Sequence, residues 1–189
     1  MRPVTLRTER LVLRAPTSAD VDAISEACQD PEIPRWTTVP SPYGRADAED
    51  YVRLVGEWWE DGSQTVWAAY ADGTLIASIG LHHIVEHPTG GDAELGYWVA
   101  APARGRGYLT EAARAVIDWG FAELGLARIR WRAVVGNVPS ARSARALGFR
   151  YEGLLRQGLP GPRGRDDGWS GALLRTDDRA PVDWPIDLG

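Results

Sequence analysis

The sequence lacks lysine and contains only one cysteine, and each shortage excludes a class of chemistry. All 21 basic residues are arginines, so there is neither a Schiff-base lysine nor the lysine of a Walker phosphate loop. A lone Cys28 excludes an internal disulfide framework and a thiolate zinc cluster. No apolar run approaches the ~18 residues of a membrane span, and the first residues lack the apolar core of a secretion signal. We therefore expect a cytoplasmic globular protein with no membrane partner.

The composition that is present fits one globular domain. Hydrophobic residues make up 44% of the 189 residues, which is enough for a sizeable core. The formal net charge of −5 argues against nonspecific binding to nucleic acid. We find no internal repeat and no linker. Residues 1–177 are therefore predicted to form one α/β domain, and residues 178–189 a C-terminal tail.

Hydrophobic periodicity predicts seven strands and four helices. The predicted strands are Leu6–Arg14, Thr65–Tyr70, Thr74–His83, Asp92–Val99, Arg128–Val135, Phe149–Leu155 and Trp169–Arg175. The predicted helices are Ala19–Cys28, Ala46–Asp61, Thr110–Leu124 and Val138–Leu147. The third helix is expected to turn Glu111 outward. Prolines and glycines predict loops at residues 30–44 and 158–168.

The most informative segment is a glycine-rich turn between the strand that ends at Val99 and the following helix. It reads Arg104-Gly105-Arg106-Gly107. Because glycines have no side chains, a ligand can approach the backbone amides of this turn closely. Those amides and the helix N-terminus form an anion site, to which the two arginines can add charge-assisted bonds. Taken alone, the pattern fits a purely structural turn equally well.

Together with other short motifs, the turn resembles the GNAT family of acyl-CoA-dependent N-acetyltransferases, and within it the RimJ/RimL branch. The family's Arg/Gln-x-x-Gly-x-Gly/Ala loop is matched by Arg104, Gly107 and, imperfectly, Leu109. The other matching segments are Thr8-Glu9-Arg10-Leu11, Asp30-Pro31-Glu32, Glu94-Leu95-Gly96-Tyr97, Thr110-Glu111-Ala112, Asn137 with Ser140, and Leu147-Gly148-Phe149. The resemblance runs from about Thr5 to Asp177, which is nearly the whole chain.

This resemblance implies a fold, a cosubstrate and a set of binding residues. The implied fold is a mixed, mostly antiparallel central sheet of about seven strands flanked by helices. The implied cosubstrate is acetyl-CoA, and no metal is expected. The residues implied to hold its pantetheine and pyrophosphate are Val99, Arg104, Gly105, Arg106, Gly107, Tyr108 and Leu109. Asn137 would bond the pantetheine arm, and it is also a suitable helix N-cap.

Glu94 is the candidate general base, because attack on a thioester requires an uncharged amine and hence a group that accepts a proton. A carboxylate that only bonds strand amides is the alternative interpretation of Glu94. His82 and His83 are rival bases, and we expect them to face opposite sides of their strand because strand side chains alternate.

The general acid is less clear from the sequence. Many relatives place a tyrosine seven residues after the asparagine, where this chain has Ala144. Ser140 or Ser143 could replace it, although Ser140 also fits a residue of the first helical turn. A thiolate leaves from a thiol of pKa about 8.5, so an acid is not obligatory.

The expected function is direct transfer of an acetyl group to a primary amine. The branch resemblance favours the α-amino group of a protein or peptide, such as a ribosomal protein. A small amine such as a polyamine or antibiotic, a non-catalytic acyl-CoA-binding module and a peptide-interaction protein remain alternatives. The acceptor pocket is expected to use residues from Trp36 to Trp59 and the loop from Gly158 to Trp169. We expect no nucleic-acid partner, and a homodimer is left open.

Overall fold

The computed structural model describes residues 1–161 and 164–188, and its strands form one mixed sheet. The strands are β1 Leu6–Arg7, β2 Leu11–Arg14, β3 Thr65–Ala71, β4 Thr74–Val85, β5 Gly91–Val99, β6 Leu126–Val134, β7 Arg150–Gly161 and β8 Gly164–Leu174. Across the described part of the chain, the eight strands lie in the order β1-β2-β3-β4-β5-β6-β8-β7. β5 and β6 are parallel, and the other neighbouring pairs in this order are antiparallel. The expected mostly antiparallel sheet is confirmed, with one strand more than the periodicity indicated.

Helices cover both faces of this sheet. They are α1 Val21–Ala27, α2 Glu32–Trp36, α3 Arg45–Asp61, α4 Tyr108–Glu123 and α5 Val138–Ala146. Trp59 of α3, Trp67 of β3 and Trp119 of α4 pack edge to face in the main core, with ring centroids 4.9 to 5.8 Å apart. A second apolar cluster joins α1, α2 and the start of α3 to the opposite face of the sheet. Within the described ranges, no helix has both the length and the apolar character needed to cross a membrane.

Three predicted segments differ from the structure. The first predicted strand is a pair, β1 and β2, because the chain turns back between them and Leu6 pairs with Leu13. The proline-containing loop holds the short helix α2. The predicted loop at 158–168 is instead the end of the β7–β8 hairpin. A bulge at Gln157, whose φ is +46° and whose amide donates to Asp167 Oδ1 at 2.7 Å, carries the pairing into this glycine-rich stretch. Pro162 and Arg163 of that predicted loop lie outside the described residues.

The segment after Asp177 packs against the domain. Trp184 is buried, its ring centroid lies 5.4 Å from that of Trp131, and its Nε1 donates to the Phe149 carbonyl at 3.1 Å. Near its end, the Leu188 carbonyl accepts a hydrogen bond of 2.7 Å from Arg142 Nε. The segment therefore contributes apolar surface to the core, and the domain boundary at residue 177 stays a prediction.

The feature of the fold that creates a site is the separation of β5 from β6. The two strands pair only from Gly91 to Glu94 on β5 and from Leu126 to Arg130 on β6. Beyond that point β5 continues along β4 to Val99, while β6 continues along β8 to Val134. Backbone groups on the facing edges of the two strands are therefore left without a ladder partner, and a cleft opens between them.

A partly buried ion pair between Arg14 and Asp20 links the turn before α1 to the sheet. The Asp20 carboxylate accepts two hydrogen bonds from the Arg14 guanidinium at 2.7 and 2.8 Å. It also accepts the Thr17 amide at 2.6 Å and the Tyr70 hydroxyl at 2.5 Å. Burial alone would raise the pKa of Asp20, but these four donors hold it well below its usual range.

We expect Asp20→Asn to lower the free energy of unfolding by about 2 kcal/mol near pH 7. Loss of a fully buried ion pair would cost more, but the Arg14 side chain is 36% exposed. The pKa of Asp20 is lower in the folded than in the unfolded chain, so the stabilisation exists above about pH 4 and is lost as the pH falls through the folded pKa. Urea unfolding of both proteins should show a difference that shrinks below about pH 4. A difference that stays constant down to about pH 2 would contradict this account.

Candidate active site

The cleft between β5 and β6 encloses about 1210 Å³. Its polar wall includes Glu94, Asn137 and Ser140. Trp36, Trp58 and the segment from Leu159 to Gly161 in β7 line this cleft, and their expected use in the acceptor pocket stays a prediction. The expectation for Trp59 was wrong, because its side chain is fully buried in the main core. Trp169 is buried as well and belongs to the same core.

The glycine-rich turn closes one end of this cleft. Gly105 and Gly107 have φ of +73° and +76°, a conformation that other residues adopt only with strain. A Cβ atom at Gly105 would have no atom within 4 Å, so this part of the turn is open to a ligand. Gly107 is the N-cap of α4 and offers no side chain to its amides. The first amide to bond within the helix is that of Glu111, so the three preceding ones can bind an anion.

Two residues near the start of the chain, Thr8 and Arg10, hold the turn in place through hydrogen bonds. Glu111 Oε1 accepts the Thr8 hydroxyl at 2.5 Å and the Arg10 amide at 2.9 Å, and its Oε2 accepts Arg10 Nε at 2.6 Å. The Arg10 guanidinium in turn donates to the Arg106 carbonyl at 3.1 Å. Burial raises the pKa of Glu111, but these donors outweigh burial and leave that pKa below its ordinary value. Glu111 lies outside the apolar core, but the expected outward orientation did not indicate that its carboxylate binds Thr8 and Arg10.

Arg104 braces the turn from the other side. Its Nε donates to the Val99 carbonyl at 3.0 Å, and its guanidinium pairs with Asp30 Oδ2 at 2.5 Å. Asp30 Oδ1 accepts the Glu32 amide at 3.0 Å at the start of α2. The Arg104 side chain thus connects the turn to α2, and the role expected of it as a phosphate ligand stays a prediction.

Ser140 lies where α5 begins, beside the separated strands. Its amide donates to Asn137 Oδ1 at 3.2 Å, so Asn137 does cap the helix. Ser140 Oγ accepts the indole N–H of Trp131 at 3.0 Å and shares a hydrogen bond of 2.8 Å with the Tyr97 hydroxyl. Burial raises the pKa of Tyr97 above its ordinary value. Sequence reasoning named neither Tyr97 nor Trp131 as a partner of Ser140.

Glu94 sits at the last paired position of β5, where the cleft begins. Its side chain is 16% exposed and pairs with Arg132, which contacts Oε2 through its Nε at 2.8 Å and through a terminal nitrogen at 2.5 Å. Both contacts fall on Oε2, which leaves Oε1 for a water molecule or an amine. Sequence reasoning did not identify Arg132, since 38 residues separate the partners and only the parallel pairing of β5 with β6 joins them.

His82 and His83 both line the cleft, so the expectation that they face opposite sides was wrong. The register of β4 shifts after His82, and His83 has a φ of +49°, which breaks the alternation of side chains. His82 lies opposite Glu94 and its Nδ1 bonds Gln64 Oε1. Burial lowers the pKa of His82 to about 4, so its imidazole is neutral near pH 7.

Two other kinds of chemistry find no support in the described residues. No group of three or more histidine, cysteine, aspartate or glutamate side chains in residues 1–161 and 164–188 could hold a metal ion. Cys28 is buried in the second apolar cluster, and burial raises the pKa of its thiol to about 12. The thiol therefore stays protonated at neutral pH and does not act as a nucleophile.

Comparison with known proteins agrees with this geometry. Residues 10–150 match the acetyltransferase (GNAT) domain. The uncharacterized N-acetyltransferase p20 of Bacillus licheniformis is 30% identical over 154 residues, which cover 80% of this chain and 85% of that protein. The structure aligns with RimJ of Mycobacterium smegmatis in complex with CoA-disulfide at a TM-score of 0.81 and 21% identity, over 92% of this chain and 87% of that one. It aligns with the ribosomal-protein-S5-alanine acetyltransferase of Vibrio fischeri at 0.80 and 20% identity, over 94% and 100%. This chain therefore belongs to the GNAT family of N-acetyltransferases.

Proposed function

We propose that the chain transfers an acetyl group directly from acetyl-CoA to the α-amino group of a protein or peptide. The observation that carries the proposal is the cleft that opens beyond Glu94, with an amide-rich turn at one end and a carboxylate inside it. RimJ of Mycobacterium smegmatis, which shares the fold, holds a CoA derivative. A cytoplasmic location remains a prediction, and whether the chain forms a homodimer is left open.

The residues present fit the cosubstrate. The free amides from Tyr108 to Thr110 and the amides of the turn suit its pyrophosphate. The unpaired edge of β5 suits its pantetheine arm, whose amides can bond an exposed strand. The Val99 carbonyl already accepts Arg104 Nε but keeps a second lone pair, and Asn137 uses Oδ1 within the helix but keeps its NH₂ group as a donor.

The chemistry requires one proton acceptor and is helped by one proton donor. As the new N–C bond forms and the C–S bond breaks, Glu94 takes the proton from the amine, directly or through water. The sulfur receives the electron pair of the C–S bond and then a proton, for which Ser140 is the proposed source. The pairing of Glu94 with Arg132 fixes its carboxylate beside the cleft.

An α-amine is the acceptor that suits this site. Its pKa is about 7.7–8.0, against about 10.4 for a lysine side chain, so a much larger fraction is already uncharged near pH 7. A site that offers one ion-paired carboxylate as its base is better matched to the more easily deprotonated nucleophile. The Vibrio fischeri enzyme that shares the fold is named for an alanine of ribosomal protein S5, which supports the same class of acceptor.

The test is a competition among acceptor classes. We expect kcat/KM for peptides with a free N-terminus to exceed that for N-blocked lysine peptides, polyamines and aminoglycosides by at least about tenfold. The protein contains no lysine, so acetylation of the enzyme itself can occur only at its N-terminus and is easily subtracted. Preference for a blocked lysine peptide or a polyamine would refute the α-amine proposal. CoA binding without turnover of any amine would refute acetyl transfer itself.

A further inference from the structure

We propose that Tyr97 supplies the proton for the departing thiolate, with Ser140 as the relay and Trp131 as the residue that positions it. The proposal rests on the proposed function. Position 144 is an alanine in this chain and provides no tyrosine hydroxyl. The tyrosine proposed here lies on a different element of the fold, strand β5. Tyr97, Trp131 and Ser140 come from β5, β6 and the start of α5, and all three line the cleft.

The hydroxyl groups of Tyr97 and Ser140 share a limited number of donors and acceptors. The indole N–H of Trp131 can only donate, so its 3.0 Å contact occupies one lone pair of Ser140 Oγ. Two hydroxyl protons remain in the pair, and the 2.8 Å contact between Tyr97 and Ser140 uses one of them. Whichever of the two hydroxyls donates, the proton of the other is not used in this contact and is available to a third group.

The direction of the shared bond follows from acidity. A phenol is much more acidic than an alcohol, so Tyr97 donates and Ser140 Oγ accepts. With both of its lone pairs engaged, Ser140 can use its own O–H only as a donor, and donors on its oxygen strengthen that donation. The Tyr97 hydroxyl also lies 3.5 Å from the Ser140 carbonyl, which is too long to compete. Trp131 interacts with the Tyr97 hydroxyl as well, but an indole N–H only donates and therefore does not accept the Tyr97 proton.

The proton transfer balances without any further reactant. As the C–S bond breaks, the sulfur takes the Ser140 proton, and Ser140 Oγ takes the Tyr97 proton in the same step. The phenolate that remains regains a proton through water, and Glu94 returns to solvent the one it took from the amine. The sum is amine plus thioester giving amide plus thiol, with every side chain restored.

Tyr97→Phe keeps the ring and removes the proton. We expect a fall in the single-turnover rate of about 10- to 100-fold, toward the lower end for general acid catalysis because the thiolate is a good leaving group. KM for acetyl-CoA should stay within about twofold. Tyr97→Phe/Ser140→Ala should be no slower than the slower single variant, because the two hydroxyls act as a unit.

Solvent isotope effects separate a relay from a structural role. In mixtures of H₂O and D₂O, the wild-type rate should depend on deuterium content along a curve, because the protons of the amine, Ser140 and Tyr97 all move. The curvature should be smaller in Tyr97→Phe, which has one moving proton fewer. Tyr51 is the matched control, because its hydroxyl also bonds a serine, Ser78, at 2.6 Å beside the cleft. Tyr51→Phe should keep the wild-type curve.

Three results would overturn the proposal. They are a Tyr97→Phe rate within twofold of the wild type, effects of the two single variants that multiply in the double variant, and equal curvature in Tyr97→Phe and the wild type. A wild-type enzyme that binds CoA but acetylates no amine would refute the proposed function together with this inference. An active wild type with an unaffected Tyr97→Phe would refute this inference alone.

Discussion

Gly107→Glu is expected to abolish acetyl-CoA binding in calorimetry while leaving the fold intact. Gly107 caps α4 at the centre of the proposed pyrophosphate site, and its amide neighbours are the free donors of the helix. A carboxylate there opposes the phosphate charges, and like charges facing each other at an interface cost several kcal/mol. At about 1.4 kcal/mol per tenfold, the expected loss in affinity is about 100-fold or more.

Gly107→Gln is the matched control for this experiment. Both substitutions force a side chain into a position whose φ is +76°, and both place a Cβ atom 3.6 Å from the Arg10 guanidinium. They therefore share the backbone strain and the crowding, and they differ in charge alone. Equal loss of affinity in the two variants would show that strain, not charge, is responsible. Undiminished binding in folded Gly107→Glu would remove the pyrophosphate from this turn.

The turn could be predicted from the sequence because its requirements are local. A left-handed φ is readily adopted only by glycine, and a strand period that gives way to a helix period marks where the amides become free. Gly105 and Gly107 therefore predicted the left-handed turn before α4 without knowledge of the fold, and the use of its amides as an anion site stays a prediction. The conformation at both positions agrees with the predicted turn.

The groups around Glu94 and Ser140 could not be predicted in the same way, because they depend on strand order. Arg132 reaches Glu94 only because β6 lies parallel to β5 after the whole of α4 has intervened. Tyr97 and Trp131 meet at Ser140 because the same two strands then separate. Nothing in the local sequence encodes either event.

The amino-terminal motif with Thr8 and Arg10 could be recognised in the sequence, but its structural role could not be predicted from it. Thr8 and Arg10 matched a family pattern, but periodicity alone offered no reason for them. In the structure they bind Glu111, about a hundred residues away, and Arg10 also fixes the Arg106 carbonyl of the turn. The pattern thus reflects support of the glycine-rich turn, a role that becomes visible only when β2 lies beside α4.

Glu94→Gln is expected to lower kcat by about 100-fold, because the variant keeps the shape of the side chain but cannot accept the proton of the amine. Affinity for CoA should change little, since Glu94 lies at the start of the cleft, on the strand that precedes the turn. The effect should appear in kcat and in kcat/KM for the amine together, as expected for an interaction made in the transition state.

His82→Gln serves as the comparison, because His82 lies opposite Glu94 and its neutral imidazole is the rival base. If Glu94 is the base, kcat should fall in Glu94→Gln and stay close to the wild-type value in His82→Gln. Glu94→Gln also removes the charged partner of Arg132. The unfolding midpoint of this variant is therefore measured to check that it still folds. Activity within twofold of the wild type in Glu94→Gln, with a large loss in His82→Gln, would transfer the role to the histidine. Retained activity in both variants would leave His83 or water as the proton acceptor.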